Sequence, residues 1–258
     1  MKKRAKQLWN YFTTYEKCWF FSILILASVF AVLFPEEDVN GVRGGVIMAL
    51  YLADTVLNIL CEQLIAKQSK WNFLFSFLVE IVEILLCIVL SYRFATMATT
   101  LFFWIPVDII SFIIWKRHPD RVQEELTEVR TLTGWQEFLI ILGIAVWTVA
   151  IGSFLAGLDI TSDLFSGNRD LEILVDYLDA LASAVGVANG LFILFRYREQ
   201  WIAWFIVAIL EAVINILAGQ YVLLVLKLGY MMNCVYGYIR WTGYISSHEK
   251  EKGIQKNS

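Results

Sequence analysis

Charge is scarce in this chain. Asp, Glu, Lys and Arg make up 17% of its 258 residues, against about 25% in an ordinary soluble domain. Histidine is scarcer still. The two present, His118 and His248, lie in polar connecting segments outside any HExxH context, which removes the usual ligands of a metallohydrolase. The four cysteines, Cys18, Cys61, Cys87 and Cys234, fall in or beside apolar runs without CxxC spacing. They read as small hydrophobes in helix packing, with neither a disulfide framework nor a zinc site indicated. Walker glycines, a GxGxxG loop, an arginine cluster, a GxSxG elbow and a Cys/His pairing are all missing. These absences argue against an intramembrane enzyme, and no cofactor, metal or nucleic-acid partner is expected.

What remains is apolar. The chain is 59% hydrophobic, and its mean hydropathy is +0.62. A helix needs about 20 mostly apolar residues to cross a bilayer. Eight segments qualify: Cys18–Phe34, Val46–Ile65, Phe73–Leu90, Ala95–Trp115, Phe138–Leu158, Ile173–Phe195, Trp201–Ala218 and Tyr221–Trp241. The first follows a basic lead-in, as a signal peptide does. Phe34-Pro35-Glu36-Glu37 makes a poor cleavage site, so this segment is read as a retained helix.

With the amino terminus inside, seventeen of the 21 Lys and Arg residues fall on the cytoplasmic side. Only Arg43, Arg93 and Arg169 fall outside, and Lys227 lies within a span. The positive-inside rule then places both termini in the cytoplasm, which requires an even number of spans.

The connection 116–136 contains Asp120-Arg121-Val-Gln-Glu124-Glu125, whose mixed charges suit a short surface helix. The segment 159–171 is rich in Asp, Ser, Gly and Asn and reads as turns. Between them lies the fifth span, which has no ionisable residue and so resembles a linker between two groups of three. A weak internal repeat agrees. The fourth span ends with Ser111 four residues before Trp115, and the eighth with Gly237 four before Trp241. The third opens near Trp71 and carries Glu83; the seventh opens at Trp201 and carries Glu211. Two triple-helix units joined by one extra span share an orientation, an arrangement that carriers use with the solute site at the repeat interface.

The stretch Arg196-Tyr-Arg-Glu-Gln-Trp201-Ile-Ala-Trp204 leads into an apolar run holding Glu211 and Asn215. At about 100° per residue, Trp204, Glu211 and Asn215 share one face. Asp54, Asn58 and Glu62 share a face of the second span, and Trp104, Asp108, Ser111 and Trp115 one of the fourth. The sixth carries Asp179, Ser183, Gly186 and Asn189, and the eighth Lys227, Tyr230, Asn233 and Tyr236. A carboxylate at mid-bilayer costs roughly 2.5–3.5 kcal/mol on insertion scales and so faces a cavity, a partner or a pathway. Glu62, Glu80 and Asp176 are placed near enough to span ends to reach the interface. Lys227 is a candidate ion-pair partner of Glu211. Carboxylates, Asn and aromatic faces suit a neutral or cationic solute with hydroxyls and a ring. The solute is expected in its unphosphorylated form.

Arg196–Trp204 resembles the PnuC family of vitamin and nucleoside transporters. Asp179 lies ahead of the basic stretch, Trp201-Ile-Ala-Trp204 matches its tryptophan pair, and Gly237 with Trp241 matches its closing small residue and tryptophan. Pro106-Val-Asp108-Ile-Ile-Ser111-Phe-Ile-Ile-Trp115 is similar to the corresponding first-half segment, the likeness running over about residues 46–245. Ala208 and Glu211 depart from the family's Asn or Asp and Ser, Asp108 from Asn or Gln, and Ser111 from Gly.

The resemblance implies an all-α membrane protein with a SWEET-like 3+1+3 core, preceded here by an extra helix, and commonly a homotrimer. The expected division is 1–45, 46–115, 116–171, 172–245 and 246–258. The implied activity is facilitated diffusion of nicotinamide riboside across a bacterial inner membrane, with a cytoplasmic kinase trapping the solute. Thiamine, riboflavin or deoxynucleosides are the alternatives, and a receptor or scaffold is the non-transport one. Candidate solute-binding residues are Trp104, Asp108, Ser111, Asp179, Trp201, Trp204, Glu211, Asn215, Asn233 and Tyr236.

Overall fold

In a computed structural model the described residues are 11–118, 129–158, 165 and 167–256, with side chains described as far as 247. They form eight helices long and apolar enough to cross a membrane: α1 (Thr14–Leu33), α2 (Gly44–Ala66), α3 (Asn72–Leu90), α4 (Phe94–Arg117), α5 (Gly134–Ala156), α6 (Arg169–Phe195), α7 (Gln200–Leu217) and α8 (Tyr221–Lys256, its spanning part Tyr221–Ser247). The expected surface helix at 120–125 lies outside the described residues, as does most of the turn segment 159–171. Within that segment, Arg169 to Leu171 already belong to α6.

Local chemistry sets the helix ends. Thr13 and Glu16 form a reciprocal capping box at the start of α1, and Pro35 bars its continuation past Phe34. Gln68, Ser91, Arg93 and Arg196 take positive φ and Gly219 does likewise, turning the chain sharply between successive helices. Residues 100–104 of α4 form a π-helical turn, in which the Ile105 amide donates to the Thr100 carbonyl. Pro106 follows and has no amide to donate, so the regular ladder breaks at this point.

Successive helices alternate in direction. Glu16 at the start of α1 meets Lys67 after α2 and Arg240 on α8. Phe34, after α1, meets Tyr221 at the start of α8. Both ends of the described chain therefore lie at one face, the terminal end. The turns 34–43, 91–93 and 218–220 gather at the other.

Six helices close a ring in the order α2, α3, α4, α6, α7, α8 and back to α2. Helix α5 packs outside it on α6, and α1 outside it on α8 and α2. The ring explains the burial pattern. Within its most apolar stretch α6 buries 72% of its residues, whereas the outlying α5 buries 11%.

Small residues let the ring tighten. A Cβ on Gly190 would stand 2.5 Å from Phe103, and one on Gly237 would stand 2.5 Å from Trp201. A side chain at either crossing would force the neighbouring aromatic ring to shift, and each crossing seats a tryptophan-bearing turn of the neighbouring helix.

Candidate functional site

The ring encloses a cavity of about 130 Å³, many times the roughly 10–15 Å³ that admits one water. All six ring helices contribute to its wall. Asp54 and Asn58 come from α2, and Glu80 and Glu83 from α3. Thr96, Thr99, Thr100 and Trp104 come from α4, and Ser183 and Asn189 from α6. Trp204 and Glu211 come from α7, with Lys227 and Tyr230 from α8. Tyr92 and Arg93 close the end away from the termini.

Two cations face this cavity and both are ion-paired. Lys227 Nζ lies 2.6 Å from Glu211 Oε2, and the Arg93 guanidinium pairs with Glu211 Oε1. Arg93 also approaches Asp179, with Nε 3.9 Å from Oδ1. Asp179 in turn accepts from the Ala95 amide at 2.9 Å and from the Thr96 amide and hydroxyl. It thereby caps the start of α4, where a carboxylate suits the exposed amides and the helix dipole. Arg93 and Lys227 are thus balanced by Glu211 and Asp179, tying α3–α4, α6, α7 and α8 together at one end of the cavity.

The opposite wall differs. Asp54 Oδ1 accepts from Asn58 at 2.9 Å, and Glu83 Oε2 accepts from the Thr100 hydroxyl at 2.8 Å. Neither carboxylate has a cation within ion-pair distance among the described residues. Glu80 sits beside Asp108 and is 4% exposed, and neither of its oxygens receives a hydrogen bond. Asn189 is fully buried with both amide atoms unpartnered, and it lines the same cavity. A buried amide left without partners costs roughly 1–3 kcal/mol, which a bound solute would offset. No group of three His, Cys, Asp or Glu able to hold a metal occurs among the described residues.

Of the ten candidate residues, Trp104, Trp204 and Glu211 line the cavity. Asp179 reaches it through Arg93. The remaining six lie elsewhere. Asp108 is buried behind the wall against Ser76 and Glu80, and Ser111 is buried with no hydrogen-bond partner. Trp201 is core, seated on Gly237 beside Trp241. Asn215 is buried one turn past Glu211 with an unpartnered amide. Asn233 donates to Glu62 at 2.8 Å, joining α8 to α2. Tyr236 donates to Glu16 at 3.2 Å and accepts from Arg240.

The anticipated Lys227–Glu211 ion pair is present. Glu62 and Glu80, placed near span ends from sequence, are buried between helices. Each is reached from a neighbouring helix, Glu62 by Asn233 and Glu80 by Asp108. Arg93, assigned to an outer loop, folds inward to its two carboxylates; its three-residue link gave no room for a free loop. The hydroxyls of Thr96, Thr99 and Thr100 were also passed over, although Thr96, Thr100 and Trp104 recur at helical spacing.

The family described as "Nicotinamide mononucleotide transporter" matches residues 48–243. Among curated proteins, the "Nicotinamide riboside transporter PnuC" of Neisseria mucosa is 25% identical over 255 residues, covering 94% of this chain and 86% of its own. The protein of the same name from Haemophilus influenzae is 24% identical over 232 residues, covering 88% and 89%. A solved structure, "Crystal structure of the Vitamin B3 transporter PnuC", superposes with a TM-score of 0.68 at 24% identity, covering 92% of this chain and 94% of that one. The match to the solved structure establishes the eight-helix fold, and α1 lies before the matched family region. Spanning most of its length, the family match makes this chain a member of the nicotinamide mononucleotide transporter family.

Proposed function

We propose that the chain carries nicotinamide riboside across a bacterial inner membrane by facilitated diffusion. The observation that carries this reading is the state of the cavity's cations. Arg93 and Lys227 are both committed to Glu211, with Asp179 beside Arg93. No free cation among the described residues is left on this wall to receive a phosphate, so the solute enters as the nucleoside, in accord with the names of the two curated relatives. Trp104 and Trp204 offer faces for a ring. Asn189 and the Thr99 and Thr100 hydroxyls offer groups to a ribose or a carboxamide.

The ring of helices supports a further division. Residues 46–115 and 172–245 form two units of three helices in the same order, α2–α3–α4 and α6–α7–α8, met at α4–α6 and α8–α2. The fifth helix is the linker between them, and α1 is an addition. On this reading the core is a 3+1+3 parallel repeat of the SWEET kind and both termini are cytoplasmic. A cytoplasmic kinase traps the solute, and the exposed apolar face of α5 leaves room for a homotrimer.

Uptake of labelled nicotinamide riboside into proteoliposomes tests the proposal, with thiamine, riboflavin and a deoxynucleoside as competitors. Saturable riboside uptake that survives loss of sodium and proton gradients supports it. Uptake of none of the four, or uptake that collapses with either gradient, rejects it.

A further inference from the structure

We infer that Asp54 and Glu83 form a counter-ion site for a permanently charged ring, so that the carrier selects its solute by charge as well as by shape. This rests on the proposed function, since the oxidised nicotinamide ring of a riboside is a pyridinium cation.

The charge distribution around the cavity carries the inference. On the α4–α6–α7–α8 side, Arg93 and Lys227 are matched by Glu211 and Asp179. On the α2–α3 side, Asp54 and Glu83 lie within electrostatic reach of each other. Their hydrogen bonds come from neutral groups, the Asn58 amide and the Thr100 hydroxyl. Arg93 and Lys227 are also within electrostatic reach of both Asp54 and Glu83, yet each is held against Glu211 instead. A carboxylate in a membrane interior pairs with another group or faces a cavity; Asp54 and Glu83 do the latter, carrying acceptor capacity toward the open space.

A second observation points to a ligand in that space. Asn189 is fully buried, lines the same cavity, and has no partner for either its amide nitrogen or its oxygen. A solute with a carboxamide or hydroxyls on a cationic ring satisfies both features together. The rings of Trp104 and Trp204 add attraction for a cation over an aromatic face.

The reduced form of nicotinamide riboside has the same substituents but a neutral dihydropyridine ring, and so isolates the charge. Binding of both forms to the purified, detergent-solubilised protein is measured by calorimetry. The oxidised riboside is expected to bind at least about 10-fold more tightly, the scale of a partly desolvated charge contact. Asp54→Asn and Glu83→Gln together should narrow that ratio toward one. Each replacement retains a side-chain oxygen to accept from Asn58 or Thr100, and an unchanged thermal midpoint shows that the double variant is folded. Asn189→Ala should weaken both forms alike and leave their ratio standing. Equal affinity of the two forms for the unaltered protein overturns the charge-selective site while leaving the proposed transport intact. A ratio that survives the double replacement also overturns it. Failure of the oxidised riboside to bind overturns the transport proposal and this inference with it.

Discussion

Glu211 holds two cations at once, and this decides what its replacement does. A Gln at this position keeps one acceptor for Arg93 or Lys227 but removes the charge that balances them. Breaking a buried ion pair by changing one partner costs about 3–5 kcal/mol because the other charge stays uncompensated. Glu211→Gln should therefore lower stability by about 3 kcal/mol, read as thermal unfolding in detergent. A second change, Lys227→Met, should recover part of that loss, since it removes one of the stranded charges. A fully stable Glu211→Gln protein would mean that the cluster rearranges around the amide. Sequence spacing put Glu211 and Lys227 on inward faces, so their pairing was legible. Arg93 was not, because its approach to Glu211 depends on a turn with positive φ at Ser91 and Arg93.

Helices are the level at which the chain was most readable. Span length follows from the number of consecutive apolar residues, a local property, and seven spans lie within four residues of the apolar segments, while the eighth runs on from Trp241 to Ser247. The depth of the cavity along each helix was not local. Trp104, Asp108, Ser111 and Trp115 share a face, yet only Trp104 reaches open space, because Glu80 and Ser76 fill the next turn toward the terminal end. The crossing of α7 and α8 has a similar tertiary origin. A Cβ on Gly237 would stand 2.5–2.6 Å from three atoms of the buried Trp201 ring. Gly237→Ala should cost about 1–3 kcal/mol through overpacking. Gly243, on the same helix, has nothing within 4 Å of such a Cβ. Gly243→Ala should be neutral or stabilising by up to about 1 kcal/mol. Matched unfolding curves for the two variants check the contrast, and equal effects would show that the crossing can open without cost.

Across the whole molecule, α1 clasps the seam where α8 closes the ring against α2. Glu16 lies 2.9 Å from Lys67 after α2 and 3.4 Å from Arg240 on α8, and Gln63 donates to its carbonyl at 2.7 Å. That clasp sits at the terminal end, the side that the basic bias assigns to the cytoplasm. The cavity lies toward the opposite end, under Tyr92 and Arg93. Orientation therefore decides which mouth the clasp guards, and cysteine labelling can establish it. Cys61, Cys87 and Cys234 are buried, so replacing the exposed Cys18 by Ser leaves a quiet background. In that background Glu37→Cys, exposed in the 34–43 turn, should react with an impermeant maleimide on intact cells. Ser246→Cys, exposed near the end of α8, should react only after permeabilisation. The reverse pattern would invert the protein and place the Glu16 clasp at the outer mouth. Labelling of both positions from one side would contradict the alternation of eight helices.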